Sequence, residues 1–324
     1  MTKELKQLIE LINNRLEELS YGDEPKELYD PISYIMSLGG KRMRPLLVLL
    51  AYRLFKENVE DILDEAIAVE VFHNFTLMHD DIMDEAPIRR GQATVHEKWD
   101  ANVAILSGDV MLVKAYDLLL DAPGDLKQII KDFNACAAGV CEGQQLDMNF
   151  EGLPTVPEEV YINMIRLKTA VLLGYSLKLG AMLAEASEQE AQKLYDFGVQ
   201  IGIGFQLKDD LLDVYADQAK FGKQVGGDII ANKKTFLLLK ALELANSQQL
   251  SELNKWIQAE DFDHEEKVKA VTAIYDEIGI RELTLEMMAT YFARGFEALK
   301  SIEGNAQEKA TLIDFTNYLI EREK

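Results

Sequence analysis

His73-Asn74-Phe75-Thr76-Leu77-Met78-His79-Asp80-Asp81-Ile82-Met83-Asp84 reads as the last turns of a helix. Apolar residues recur at Val69, Phe72, Leu77 and Met83, and the chain meets no breaker until Pro87. On such a helix Asp80 and Asp84 share one face, and Asp81 lies about 100° round from Asp80. Like charges at this spacing repel, and more strongly where the site is partly dry, so the patch calls for a cation. Three carboxylates with no cysteine beside them suit a hard ion that keeps several waters and shares phosphate oxygens, which describes Mg²⁺. A solvated acidic helix end is the plain alternative for one such patch.

A second copy decides between them. Gln206-Leu207-Lys208-Asp209-Asp210-Leu211-Leu212-Asp213 again places two adjacent aspartates and a third four positions after the first, behind an apolar run. Both clusters are followed by basic residues. They are expected to form two walls of one cavity, facing each other across a diphosphate held by metal.

The 324 residues suffice for a large core, with 48% hydrophobic and 28% charged residues. A net charge of -22 excludes a broad nucleic-acid or anionic-membrane surface, though not a small basic pocket. The start, Met1-Thr2-Lys3-Glu4-Leu5-Lys6, lacks the apolar core of a signal peptide, and no run is long enough to span a bilayer, so a cytoplasmic protein without membrane insertion is expected. Cys136 and Cys141, on one expected helix, point to different faces; neither disulfide nor metal pair is expected, and both are assigned to the core.

The last proline is Pro157, and the half beyond it is rich in Leu, Ala, Lys and Glu with apolar spacings of three and four. Helices are expected over residues 2–20, from Lys26 to Met36, Glu158 to Glu185, Glu188 to Tyr215 and Asn232 to Asn246. Alternating strand patterns are missing. The expectation is an all-α, single-domain bundle of about a dozen helices around a central cavity, covering 1–324.

Several basic or polar stretches are candidates for the ligand. Gly39-Gly40-Lys41-Arg42-Met43-Arg44-Pro45 combines free backbone turning with three cations ahead of a helix, which suits an anion clamp or simply a charged surface loop. Pro87 stops the motif helix, so Arg89 and Arg90 can fold back over its end. Lys168-Thr169 sits in mid-helix, Gln206 one turn before the second cluster, and Phe221 to Asp228 leads through Lys223 to Lys233. Gly202 and Gly204 read as close helix packing or as room for a ligand. His73, two turns before Asp80, reads as a phosphate donor or a core histidine.

Together with Gly143-Gln144-Gln145-Leu146-Asp147, these stretches occur in the order seen in trans-isoprenyl diphosphate synthases, which the chain resembles over roughly residues 30 to 240. The resemblance implies an all-α homodimer in which Asp80 and Asp84, with Asp209 and Asp213 or Asp228, hold Mg²⁺, about three ions per site, on an allylic diphosphate; Asp81 and Asp210 complete the two metal motifs. It implies that Lys41, Arg44, His73 and Arg90 bind isopentenyl diphosphate, and that Arg89, Lys168, Thr169, Gln206, Lys223 and Lys233 serve the allylic side. Two positions depart from the pattern: Asn232 stands before Lys233 where glycine is usual, and Thr235-Phe236-Leu237 lacks the usual proline.

The implied reaction joins isopentenyl diphosphate head-to-tail (1'-4) to the allylic substrate by ionisation, condensation and proton loss. Phe75 lies about 7.5 Å below Asp80 along the helix and would close the pocket floor. In similar proteins an aromatic there accompanies a twenty-carbon product, whereas one at the position of Thr76 favours fifteen carbons. Geranylgeranyl diphosphate is therefore expected, with farnesyl diphosphate as the alternative. A class I terpene cyclase would not need Gly39 to Arg44, and a silent regulatory subunit would not need two intact aspartate motifs.

Overall fold

The computed structural model describes residues 2–216 and 225–321. Helices follow one another as α1 (Lys3–Glu18), α2 (Lys26–Ser37), α3 (Met43–Arg53), α4 (Leu63–Met83), α5 (Val95–Lys98), α6 (Ala101–Asp117), α7 (Leu126–Glu151) and α8 (Glu158–Ile165). After a π turn, Arg166–Ala170, come α9 (Val171–Leu183), α10 (Glu188–Tyr215), α11 (Gly227–Ile230), α12 (Phe236–Leu244), α13 (Ser247–Gln258), α14 (His264–Ile278), α15 (Ile280–Lys300) and α16 (Ala306–Glu321). The fold is all-α. The chain divides into two compact units, one holding Met1–Phe133, Tyr175–Leu194 and Glu303–Leu312, the other Asn134–Gly174, Tyr195–Ile302 and Ile313–Lys324.

The first unit is built round α4. From Ala66 to Phe72 this helix buries every residue, which is the signature of an element apolar on all sides, and α3 and α6 pack against it. Thr2 caps α1 by accepting the Leu5 N–H at 3.3 Å, and Leu5, Leu8, Ile12 and Leu16 form its buried stripe. Gly180 lets α9 approach α3 so closely that a Cβ there would lie 2.2 Å from the Val48 carbonyl oxygen. In the first turn of α4, burial pushes the Glu65 carboxyl up to about 7. A carboxyl raised in the folded state adds stability below its unfolded pKa and loses it as pH rises through 7. Glu65→Gln should therefore raise Tm by about 2 °C or more at pH 8 and change it little at pH 4; equal shifts at both pH values would rule ionisation out.

The second unit is organised by close approaches at glycine. A Cβ on Gly202 would lie 2.7 Å from Ala170 Cα, and one on Gly204 would lie 2.4 Å from the Phe292 ring. Both glycines serve helix packing, which corrects the ligand-room reading. Gly143 of α7 passes the π turn with no space for a side chain, since its Cβ would lie 2.2 Å from the Lys168 nitrogen.

Four other expectations change. A short antiparallel hairpin, Ile88–Arg89 with Gln92–Ala93, was not legible as alternation because each strand has two residues. Lys168 and Thr169 lie on a π turn, not a regular helix. The helix expected from Asn232 begins only at Phe236, because Asn232 is left-handed (φ 53°). Cys136 is buried as expected, but Cys141 is exposed.

Candidate active site

In the first unit the glycine loop folds as its composition suggests. Gly39 and Gly40 take φ 77° and 151°, Arg42 follows at 49°, and Pro45 sits in the first turn of α3. This turns Arg42 inward. Its guanidinium donates to Glu70 at 2.9 Å, to Asn13 Oδ1 at 3.0 Å and to the Met36 carbonyl at 3.3 Å. Arg42 and Glu70 are both almost fully buried. The neighbouring cations are left around a cavity of about 430 Å³ lined by Gly40, Lys41, Arg44, His73 and Arg90 as well as the ion pair. Arg42 and Glu70 neutralise each other, and Lys41, Arg44 and Arg90 bring three further cationic side chains to its wall. Burial, reinforced by Arg44 and Arg90, holds the His73 pKa well below its ordinary value, so the imidazole is neutral and offers one N–H.

Sequence reasoning counted Arg42 only as one of the loop's three cations and passed over Glu70 and Asn13. The available signal was Glu70 itself, a lone carboxylate between Val69 and Val71 in an apolar run, which needs a cation.

At the end of α4, Asp80 and Asp84 fall on one side, Asp84 capping the helix. The hairpin turn at Arg90 and Gly91 has positive φ at both residues (52° and 77°), the geometry that suits a two-residue connection. It brings Arg89 back, as expected, but onto Asp81: the guanidinium grips that carboxylate through both oxygens at 2.7–2.9 Å, and Asp81 is only 3% exposed. Asp81 thus holds Arg89 and the hairpin, a duty that competes with the expected metal role. Arg90 donates to the Gly39 carbonyl, joining hairpin to glycine loop. Phe75 is buried with its ring 5.5 Å from Phe72 and 4.7 Å from His79, while Phe72 and Tyr116 both stack edge-on against Phe133. Thr76 is turned to its own helix, donating to the His73 carbonyl.

In the second unit a polar chain crosses the helices. Thr169 donates to Gln206 Oε1 at 3.0 Å, Gln206 Nε2 to Asp210 Oδ1 at 3.1 Å, and the Tyr161 hydroxyl to the other oxygen of Asp210. Burial, with the charge of Asp228, pushes Asp210 up to about 7. Asp210 is therefore a buried anchor for Gln206, a duty that competes with its expected metal role, while Asp209, one residue earlier, is exposed. Asp213 Oδ2 accepts the Asp228 N–H at 2.9 Å at the start of α11. Asp147 on α7 takes the Lys168 ammonium at 2.6 Å. Lys233 is exposed and follows Asn232, and Lys223 lies outside the described residues.

Among the described residues no three His, Cys, Asp or Glu side chains converge tightly enough to cage a metal. That donor set still fits Mg²⁺, which is commonly bound through one or two carboxylates plus phosphate oxygens and water rather than by a closed protein shell. Asp80, Asp84 and Asp209 belong to the two aspartate clusters that offer such carboxylates.

Residues 25–275 match the polyprenyl synthetase family. The chain belongs to that family. It is 34% identical to the geranylgeranyl diphosphate synthase of Methanosarcina mazei, covering 100% of this chain and 98% of that one. It is 36% identical to the geranylgeranyl pyrophosphate synthase of Geoglobus acetivorans, with 98% of each covered. A crystal structure of a geranylgeranyl pyrophosphate synthase superposes with a TM-score of 0.94 at 42% identity, over 100% of both chains. In this polyprenyl synthetase the departure at Asn232 has a physical account: the position is left-handed, and asparagine is the side chain that, after glycine, adopts that conformation most readily. Thr235 occupies the N-cap position of α12 in extended conformation, without a side-chain cap hydrogen bond.

Proposed function

We propose that this polyprenyl synthetase condenses isopentenyl diphosphate with allylic diphosphates to geranylgeranyl diphosphate. The observation that carries it is the cationic cavity of Lys41, Arg44, His73 and Arg90 on the helix that bears Asp80: a second diphosphate site is what condensation needs and cyclisation does not. Asp80 and Asp84 of the first aspartate motif, and Asp209 with Asp213 or Asp228 of the second, are the carboxylates that would bind Mg²⁺ for the allylic diphosphate. When bound, Mg²⁺ neutralises charge on the leaving diphosphate.

Lys168, Lys223 and Lys233 add positive charge where the C–O bond breaks and the diphosphate departs with the electron pair. Arg89 serves the same side as a support, through Asp81. Thr169 and Gln206, held by Asp210 and Tyr161, direct dipoles toward the allylic cation. The terminal double bond of isopentenyl diphosphate attacks that cation, and the adduct loses a proton to the departing diphosphate. Neutral His73 donates to isopentenyl diphosphate beside Lys41, Arg44 and Arg90.

Twenty carbons are favoured over fifteen because Thr76 presents no ring while Phe75 does. An exposed apolar stripe on and beyond α6, Leu106, Val113 and Leu120, supports a homodimer. No helix among the described residues is long and apolar enough to cross a membrane, which agrees with a cytoplasmic site of action.

Purified protein given Mg²⁺, isopentenyl diphosphate and five-, ten- or fifteen-carbon allylic diphosphates should yield geranylgeranyl diphosphate from each. A cyclised hydrocarbon, or no consumption of any primer, would overturn the reading. Phe75→Ala should lengthen the product by at least about one isoprene unit, since it takes the ring away from the expected pocket floor. An unchanged product would place the floor elsewhere, near Met111 to Tyr116.

A further inference from the structure

Lys267 is 1% exposed, one of the most deeply buried side chains in the second unit, and lies on α14, well beyond both aspartate motifs. A buried ammonium without oxygen partners would cost several kcal/mol, so what it contacts is informative. It donates to Asn232 Oδ1 at 2.8 Å and to the Ile230 carbonyl at 3.2 Å, with the Phe262 ring 4.2 Å away. Both oxygens belong to the short segment between Asp228 and Lys233.

That segment is tied at every step. Asn232 Nδ2 donates to the Ile257 carbonyl at 3.1 Å, and the Asn232 carbonyl accepts Lys234 Nζ at 3.0 Å. The Lys233 N–H closes onto the Asp228 carbonyl at 2.9 Å. On its other side Gly226, at φ 85°, packs so tightly on Val268 that a Cβ would lie 2.5 Å from it. Adjacent residues of α14, Lys267 and Val268, thus grip both ends of the turn that presents Asp228 and Lys233.

We infer that Lys267 and Asn232 form a lock that positions Asp228 and Lys233 for the allylic diphosphate. The inference rests on the assignment of those two residues to the allylic side. Lys267 is a positioning residue: its ammonium reaches carbonyl and amide oxygens of the protein, and its effect on substrate passes through the turn. Asparagine at 232 then supplies two things that glycine cannot supply together, a tolerated left-handed backbone and a side-chain oxygen for Lys267.

The test compares Lys267→Met, Asn232→Gly, the double variant and Asp228→Asn. Calorimetry measures affinity for an allylic thiodiphosphate, which carries sulfur at the scissile oxygen; KM for isopentenyl diphosphate and Tm are taken alongside. Lys267→Met should weaken analogue binding about tenfold, in line with other supports of ligand-holding groups, and leave the isopentenyl diphosphate KM unchanged. Asn232→Gly keeps the backbone and removes one acceptor, so about threefold is expected, and the double variant should bind no worse than Lys267→Met. If Lys267→Met does not fold, Asn232→Gly decides alone. Unchanged analogue affinity beside a lowered Tm, or equal losses for both substrates, would overturn the lock. Should Asp228→Asn leave analogue binding intact, the assignment of the turn to the allylic side fails; if it weakens binding while the lock variants do not, only the lock fails.

Discussion

Asp80→Asn and Asp209→Asn should each lower kcat about 10³-fold, the scale seen when one element of electrostatic stabilisation is removed from a reacting centre. Each substitution keeps side-chain shape and removes one negative charge. Asp209 is exposed and Asp80 half-buried at the end of α4, so the folded state should lose no more than about 1 kcal/mol, the scale of a solvent-accessible polar pair. Asp81→Asn provides the contrast. Asp81 is 3% exposed and clasped by Arg89, so its loss should appear as a lower Tm and a displaced hairpin before it appears in chemistry. Single-turnover rates and melting curves on the three variants separate the two duties. If Asp80→Asn and Asp81→Asn behave alike in both measurements, the division of labour within the first motif is wrong.

Arg42→Met should destabilise the protein by about 4 kcal/mol, because Glu70 would keep its charge at 3% exposure without its counter-ion. At this chain length that is a fall in Tm of about 6 °C. Adding Glu70→Met should recover most of the stability, since two well-packed apolar side chains can replace a buried pair at little cost. It should not recover affinity for isopentenyl diphosphate. Arg42 also fastens the glycine loop to Asn13 and the Met36 carbonyl, and Lys41 and Arg44 take their positions from that loop. Melting curves and KM values on the single and double variants test this. Recovery of both properties in the double variant would reduce the pair to a packing device.

Glu70 and Asn232 show how far reading the chain can go. A carboxylate inside an apolar run announces a partner without naming it, and an asparagine in place of the family's glycine announces a left-handed turn without showing what its side chain holds. Lys168 and Thr169 were legible as candidates, yet not as members of a π turn, where Gly143 of α7 comes against the Lys168 backbone.

The sequence by itself determined the all-α class, most helix spans and both aspartate clusters, because helical hydrogen bonds and apolar periodicity act within four residues along the chain. Only tertiary structure decided which distant charged and polar groups meet inside the fold. Arg42 meets Glu70 across 28 residues, Tyr161 meets Asp210 across 49 and Lys267 meets Asn232 across 35. Pairings at such separations depend on how whole helices pack, and no local pattern in the chain records them.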